Sequence, residues 1–239
     1  MSDLSSLAAS DRLIVALDFP SAVQADQLVD KLQGVVSFYK VGLELYTVIG
    51  PDYIRSLLDR GNNVFLDLKF YDIGETVRRA TRQAARLGAT FLTVHEAGRT
   101  VSAAAMGCAG SNLKILAITV LTSMGAEDLA EMGLRGSVED LAIQRAEHAI
   151  AQGCHGVVAS GFEARAIRRM AGPGPIIVTP GIRPAGVSED DQKRATTPAA
   201  AIKAGADYLV VGRPIRDAKD PTAVAISIIE EIKSGMAVP

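Results

Sequence analysis

Eight short, almost continuously apolar runs recur along this chain, with Ala-rich amphipathic stretches between them. The runs are Arg12 to Leu17, Val36 to Val41, Asn63 to Leu68, Thr90 to His95, Leu113 to Val120, Gly156 to Ala159, Ile176 to Thr179 and Tyr208 to Val211. A strand with one wet face alternates apolar and polar residues, whereas a run apolar throughout suits a parallel strand covered on both faces. The intervening stretches read as helices over Ala22 to Lys31, Pro51 to Asp59, Glu75 to Leu87, Val101 to Cys108, Val138 to Gln152, Glu163 to Met170, Pro198 to Lys203 and Thr222 to Lys233. Eight such units fit an α/β fold closed into a (β/α)8 TIM barrel. The reading is one catalytic barrel domain over residues 1–239 with short flexible termini, since no shift in composition marks a boundary. An open doubly wound sheet is the structural alternative. The first crossover lacks a Gly-x-Gly-x-x-Gly opening, so a dinucleotide domain has little support.

Local chemistry supports these boundaries. Pro51 suits a first helical position, where no backbone donor is needed. Gly34, Gly61, Gly88, Gly153 and Gly205 each follow a helical pattern, where a left-handed glycine commonly ends the helix. Between Glu75 and Leu87, Val77, Ala80, Ala84 and Leu87 share one face, and Arg78, Arg79, Arg82 and Arg86 favour water. Those arginines read as a solvated face rather than a nucleic-acid reader. The chain carries 25 Lys plus Arg against 27 Asp plus Glu, so it has no global attraction to nucleic acid or anionic membrane. No uninterrupted apolar span is long enough for a membrane helix, and no apolar signal core follows Asp3. The expected location is cytoplasmic. Cys108 and Cys154 lack close metal-ligand spacing and read as reduced structural thiols.

Charge gathers where strands should end. After Asn63-Val64-Phe65-Leu66 comes Asp67-Leu68-Lys69-Phe70-Tyr71-Asp72-Ile73-Gly74-Glu75-Thr76. Asp67 and Lys69, two apart, point the same way on a continuing strand, and Asp72 falls where the chain leaves it. Such charges are costly to bury unless paired, but together they form a preorganised charged site. Asp18, Lys40, His95, the Thr119–Thr122 region, Arg183 and Arg213 also fall at or just past strand C-terminal ends. That is the rim on which a barrel of this kind assembles its active site. Convergence of several charged strand ends favours a ligand pocket over scattered surface ion pairs. Taken locally, Asp72 is equally suited to cap the helix after it.

Six segments carry a resemblance to the orotidine 5′-phosphate decarboxylase family, particularly its bacterial branch. They are Leu17-Asp18, Lys40-Val41-Gly42-Leu43-Glu44, the Asp67 to Ile73 run, Leu121-Thr122-Ser123-Met124, Thr179-Pro180-Gly181-Ile182-Arg183 and Val211-Gly212-Arg213-Pro214-Ile215. In order, they span almost the whole chain, a far more specific signal than a lone Asp-x-Lys. The resemblance implies a cofactor-free, metal-free barrel enzyme, a homodimer, that converts orotidine 5′-phosphate to uridine 5′-phosphate and carbon dioxide in pyrimidine biosynthesis. It implies Lys69 as proton donor to pyrimidine C6, Asp67 beside the substrate carboxylate, and Asp72 entering the partner subunit's site, with Ile73 packing and Thr76 contacting ribose beside it. It implies Asp18 and Lys40 as a ribose-contact pair, with Lys40 also in the charged network, and Thr122, next to Ser123, at the pyrimidine. Arg183, Gln192, Gly212 and Arg213 are implied at the phosphate. Polar composition and Gly186 make the Arg183 to Thr196 loop a candidate for closure over that phosphate.

His95 reads as structural or supporting, because His148 and His155 form no recognised ligand spacing with it. Two other functions fit a barrel with these strand ends. One is a metal-assisted sugar-phosphate decarboxylase or aldolase, which Lys40 and the Leu-Thr-Ser segment disfavour. The other is a non-enzymatic phosphate-ligand sensor.

Overall fold

The computed structural model describes residues 4–184 and 196–237. Eight strands form a closed barrel: β1 (Leu13–Ala16), β2 (Phe38–Gly42), β3 (Asn63–Phe70), β4 (Phe91–His95), β5 (Lys114–Ile118), β6 (Gly156–Val158), β7 (Ile176–Thr179) and β8 (Tyr208–Val211). Every pairing is parallel, and β1 closes the ring on β8 through Leu13↔Leu209, Ile14↔Val210 and Val15↔Val211. The helices are α1 (Ala22–Lys31), α2 (Leu43–Asp59), α3 (Gly74–Leu87), α4 (Thr100–Cys108), α5 (Ala126–Glu131), α6 (Val138–Ala151), α7 (Gly161–Ala171), α8 (Pro198–Lys203), α9 (Arg213–Arg216) and α10 (Pro221–Met236). The expected alternation therefore holds. No helix among the described residues is long and apolar enough to cross a membrane.

Burial explains the apolar runs. In β1, β2, β7 and β8 every residue is buried. Ile14 and Ala16 face the barrel interior while Leu13 and Val15 face the helices; Tyr208 and Val210 alternate likewise with Leu209 and Val211. The interior is filled first by rings. Phe38, Phe65, Phe91 and Tyr208, all near strand starts, pack edge-on or tilted, with Phe91 5.1 Å from both Phe38 and Tyr208 between centroids. Two residues further along, the same inward columns carry Lys40 after Phe38, Asp67 after Phe65 and Thr93 after Phe91. Extending the β1 column past Ala16 reaches Asp18. Period two thus places an aromatic floor beneath a polar layer.

Differences from the sequence reading lie at element ends and in short helices. Helix α2 begins at Leu43 rather than Pro51, and its expected start is the restart after a break at Gly50 (φ 63°, ψ −160°). Those angles are open to glycine and costly for other residues. The short α5 and α9 were not expected. The α5 N-terminus is held by Asp128, whose carboxylate accepts the Gly125 amide at 2.6 Å. On α3, Val77 and Ala84 are buried as expected, together with Thr81, while Arg79, Arg82 and Arg86 are exposed. Both thiols are buried and unbridged.

The barrel's N-terminal end is closed by the segment before β1. Leu4 and Leu7 pack against the aromatic floor. The Arg12 guanidinium donates to the Leu4 carbonyl at 2.8 Å and to the Asp207 carbonyl at 3.1 Å. The Asp207 carboxylate accepts from Arg168 at 2.6 Å and from the Ile177 amide at 2.8 Å. One residue thereby ties β7, β8, α7 and the N-terminal segment together. Asp207→Ala is expected to lower unfolding free energy by about 2 kcal/mol, because it leaves the Ile177 amide without its acceptor and takes the carboxylate from Arg168, which keeps its bonds to the Gly172, Pro175 and Gly205 carbonyls. Urea denaturation of both proteins measures the difference.

Candidate active site

The polar layer above the aromatic floor holds a connected set of charges. The Lys40 ammonium lies 2.9 Å from Asp18 Oδ1 and 3.5 Å from Asp67 Oδ2. Asp67 Oδ1 in turn lies 2.9 Å from the Lys69 ammonium. The side chain of Lys40 is 11 % exposed and that of Asp67 15 %, so two charges are almost removed from water and depend on each other. Burial alone would drive the Lys40 pKa down; Asp67 and Asp18 outweigh it and hold the group above its ordinary value. Burial likewise pushes Asp67 up, but Lys40 and Lys69, with hydrogen bonds from Lys69 and Thr93, bring its pKa below the ordinary carboxylate value. The result is a carboxylate and an ammonium kept ionised inside the barrel mouth.

A local irregularity supplies the geometry. Strand β3 pairs β4 at Leu66↔Leu92 and again at Phe70↔Val94, so Asp67, Leu68 and Lys69 together oppose Thr93 alone. Lys69 takes φ of 49°, the only positive value at a non-glycine residue among those described. Asp67 and Lys69 therefore meet as the sequence reading expected, but through a bulge rather than a continuing strand. Thr93 was not singled out from the sequence. Its hydroxyl donates to Asp67 Oδ1 at 3.0 Å and accepts the Lys69 amide at 3.0 Å, and the residue is fully buried. Gly42 supports the same cluster from β2. A Cβ there would lie 3.2 Å from both Asp18 Oδ1 and Lys40 Nζ, so glycine keeps that space free for the ion pair.

Next to the cluster opens a cavity of about 390 Å³ lined by Asp18, Lys40, Gly181, Arg183, Gly212 and Arg213. Arg216 also lines it and was not expected as a site residue. Its guanidinium grips Asp217 through both carboxylate oxygens and donates to the Asp18 carbonyl at 3.1 Å. Its only sequence signal is its place one helical turn after Arg213. The Arg183 amide donates to the Thr196 carbonyl at 2.9 Å, drawing together the two ends of the segment between them. Gln192 and Gly186 lie outside the described residues. Thr122 is half-buried and Ser123 exposed in the turn after β5.

Asp72, Ile73 and Thr76 stand apart from the cluster. All three are exposed, and the Asp72 carboxylate accepts the Ile73 amide at 2.6 Å. Among the described residues Asp72 pairs with neither Lys40 nor Lys69, and the α3 cap position belongs to Ile73. Tyr71 and Ile73, on either side of Asp72, are 69 % and 74 % exposed, uncommon values for such large apolar side chains.

These features can be set beside known proteins. The model for the Orotidine 5′-phosphate decarboxylase / HUMPS family matches residues 11–228. This chain belongs to that family. An orotidine 5′-phosphate decarboxylase from Nitrobacter winogradskyi is 51 % identical over 228 residues, covering 95 % of each chain. One from Methylobacterium sp. is 51 % identical over 225 residues, covering 93 % of this chain and 95 % of the relative. Among solved structures, orotidine 5′-phosphate decarboxylase from Lactobacillus acidophilus superposes with a TM-score of 0.82 at 36 % identity, over 93 % of this chain and 99 % of that one. The barrel and the family expected from the motifs are therefore both present.

His95, at the end of β4, contacts Tyr71 edge-on with centroids 5.9 Å apart. Burial, then the positive charges of Lys69 and Arg145, hold its pKa below the ordinary histidine value. Lys69→Ala removes one of those charges and is expected to raise the His95 pKa. The histidine C–H resonances, followed by NMR between pH 5 and 8, read the shift.

Proposed function

We propose that this chain decarboxylates orotidine 5′-phosphate to uridine 5′-phosphate and carbon dioxide. The observation that carries the proposal is the Asp18–Lys40–Asp67–Lys69 chain of charges beside an arginine-lined cavity, in a protein about half identical to enzymes of that name. In this reading Arg183, Gln192, Gly212 and Arg213 bind the phosphate, Asp18 and Lys40 bind ribose hydroxyls, and Thr122 contacts the pyrimidine. The substrate carboxylate lies beside Asp67. As the bond to C6 breaks, its electron pair stays on C6 and carbon dioxide leaves. The Lys69 ammonium stabilises the developing negative charge and donates its proton to C6, then regains one from water.

This division of labour needs each charge preset rather than assembled during the reaction. Lys40 is fixed between two carboxylates and Lys69 by Asp67, so little reorganisation accompanies the charge movement. Phosphate binding, far from the bond that breaks, contributes to orientation. Purified protein with orotidine 5′-phosphate and a chelator is expected to release carbon dioxide, and Lys69→Ala to lower kcat by roughly 1,000-fold or more. Turnover that requires a divalent metal and a sugar phosphate would instead favour the aldolase-type reading. Near-native turnover by Lys69→Ala would exclude the proton-donor role.

The exposed Tyr71-Asp72-Ile73 segment supports a homodimer in which Asp72, Ile73 and Thr76 complete the partner subunit's site. Asp72 would extend the alternating charges by one carboxylate that this chain does not supply to itself. Asp72→Ala and Lys69→Ala homodimers are each expected to be poorly active. A purified heterodimer of the two holds one site with both defects and one with neither, so its activity should approach about half that of the wild-type dimer. Absence of recovery after verified subunit exchange would count against the shared site.

A further inference from the structure

We propose that Thr93 is a positioning residue that holds Asp67 and Lys69 in their working arrangement. The inference rests on the reading of Lys69 as proton donor, and it concerns how a lysine on a bulged, left-handed stretch of strand keeps one orientation. Between Leu66↔Leu92 and Phe70↔Val94, three residues of β3 face one residue of β4. A ladder with such a mismatch cannot pair every backbone group from the opposing main chain. Thr93, the single residue facing the mismatch, provides a side-chain partner in its place. Its hydroxyl oxygen accepts the Lys69 amide at 3.0 Å, and its proton goes to Asp67 Oδ1, also at 3.0 Å. One hydroxyl can do both, because it carries one donor and two acceptor sites.

The consequences reach both reactive groups. The bond to the amide fixes the Lys69 backbone at φ 49°, from which the side chain returns to within 2.9 Å of Asp67. The bond to Asp67 Oδ1 orients that carboxylate so that Oδ2 remains directed to Lys40, 3.5 Å away. Thr93 is fully buried in the inward column above Phe91, and its branched Cβ restricts χ1, so the hydroxyl has little freedom to turn elsewhere. Valine would fill the same space and keep the same strand preference while removing both hydrogen bonds. Thr93 touches neither the reacting carbon nor the phosphate site in this reading, so its loss should affect turnover rather than affinity.

The test compares Thr93→Val, Thr93→Ser and Thr93→Ala in steady-state decarboxylation and in hydrogen exchange of the Lys69 amide. Thr93→Val is expected to lower kcat about ten-fold or more while KM changes less than about two-fold, and to speed Lys69 amide exchange at least about ten-fold. Thr93→Ser, which keeps the hydroxyl, should stay within about three-fold of wild type in each measurement. Unchanged kcat in Thr93→Val, a rise in KM alone, or equal losses in the Ser and Val variants would overturn the proposal. Should Thr93→Val fail to fold, the Ser and Ala pair decides: loss in Ala with retention in Ser supports the role, and equal behaviour refutes it. If wild-type protein releases no carbon dioxide, the functional reading fails, and Lys69 amide exchange alone then judges Thr93.

Discussion

A buried ammonium is tolerable only while carboxylates face it, and Lys40 is such a group. It touches Asp18 on one side and Asp67 on the other, and Asp67 is in turn shared with Lys69. Two positive and two negative groups alternate, so the set is neutral as a whole although single members are nearly removed from water. The barrel places them there because the inward columns of adjacent strands run side by side. Below them the same columns hold large rings packed against one another. Above them lies the cavity at the strand C-terminal ends.

That neutrality bears on the chemistry. In the proposed reaction, a substrate carboxylate entering beside Asp67 would add a negative charge to a balanced set, and the partner's Asp72 would add another. The cluster would then favour loss of charge from the substrate carboxylate, which decarboxylation supplies. In the proposed reaction, preset ammonium groups and an uncomfortable ground state both describe this one arrangement, since the Lys69 ammonium would face first the substrate carboxylate and then the charge arriving at C6.

Most of the barrel was legible in the sequence because its strands are buried on both faces. β7 and β8 coincide with their apolar runs, and α1 and α8 begin and end where their patterns do. The charged strand ends were legible for the same reason: Lys40 and Asp67 interrupt otherwise apolar columns. The bulge was not, because a register mismatch is a property of how two strands pair, and β3 read alone is an ordinary run. Thr93 was hidden by its own suitability for a strand, where threonine needs no further explanation. The Leu43 to Ile49 part of α2 was obscured by the Gly50-Pro51 pair, which resembles a start. Arg216 sits on a four-residue helix, too short to show any periodicity. The location of Asp72 away from its own chain's cluster depends on how the chain leaves β3, which its sequence pattern leaves open between capping and catalysis.

The positive φ of Lys69 has a consequence for how such a protein would change under selection. A lysine in the left-handed region costs of the order of 1 kcal/mol, which glycine at the same position would not incur. Relief of that backbone strain alone would push residue 69 toward glycine, which would remove the ammonium and its ion pair with Asp67. On the proposed proton-donor role, backbone comfort and reactivity are opposed at a single backbone angle. A stabilised descendant of this chain would have to gain its stability elsewhere and leave that strained residue alone.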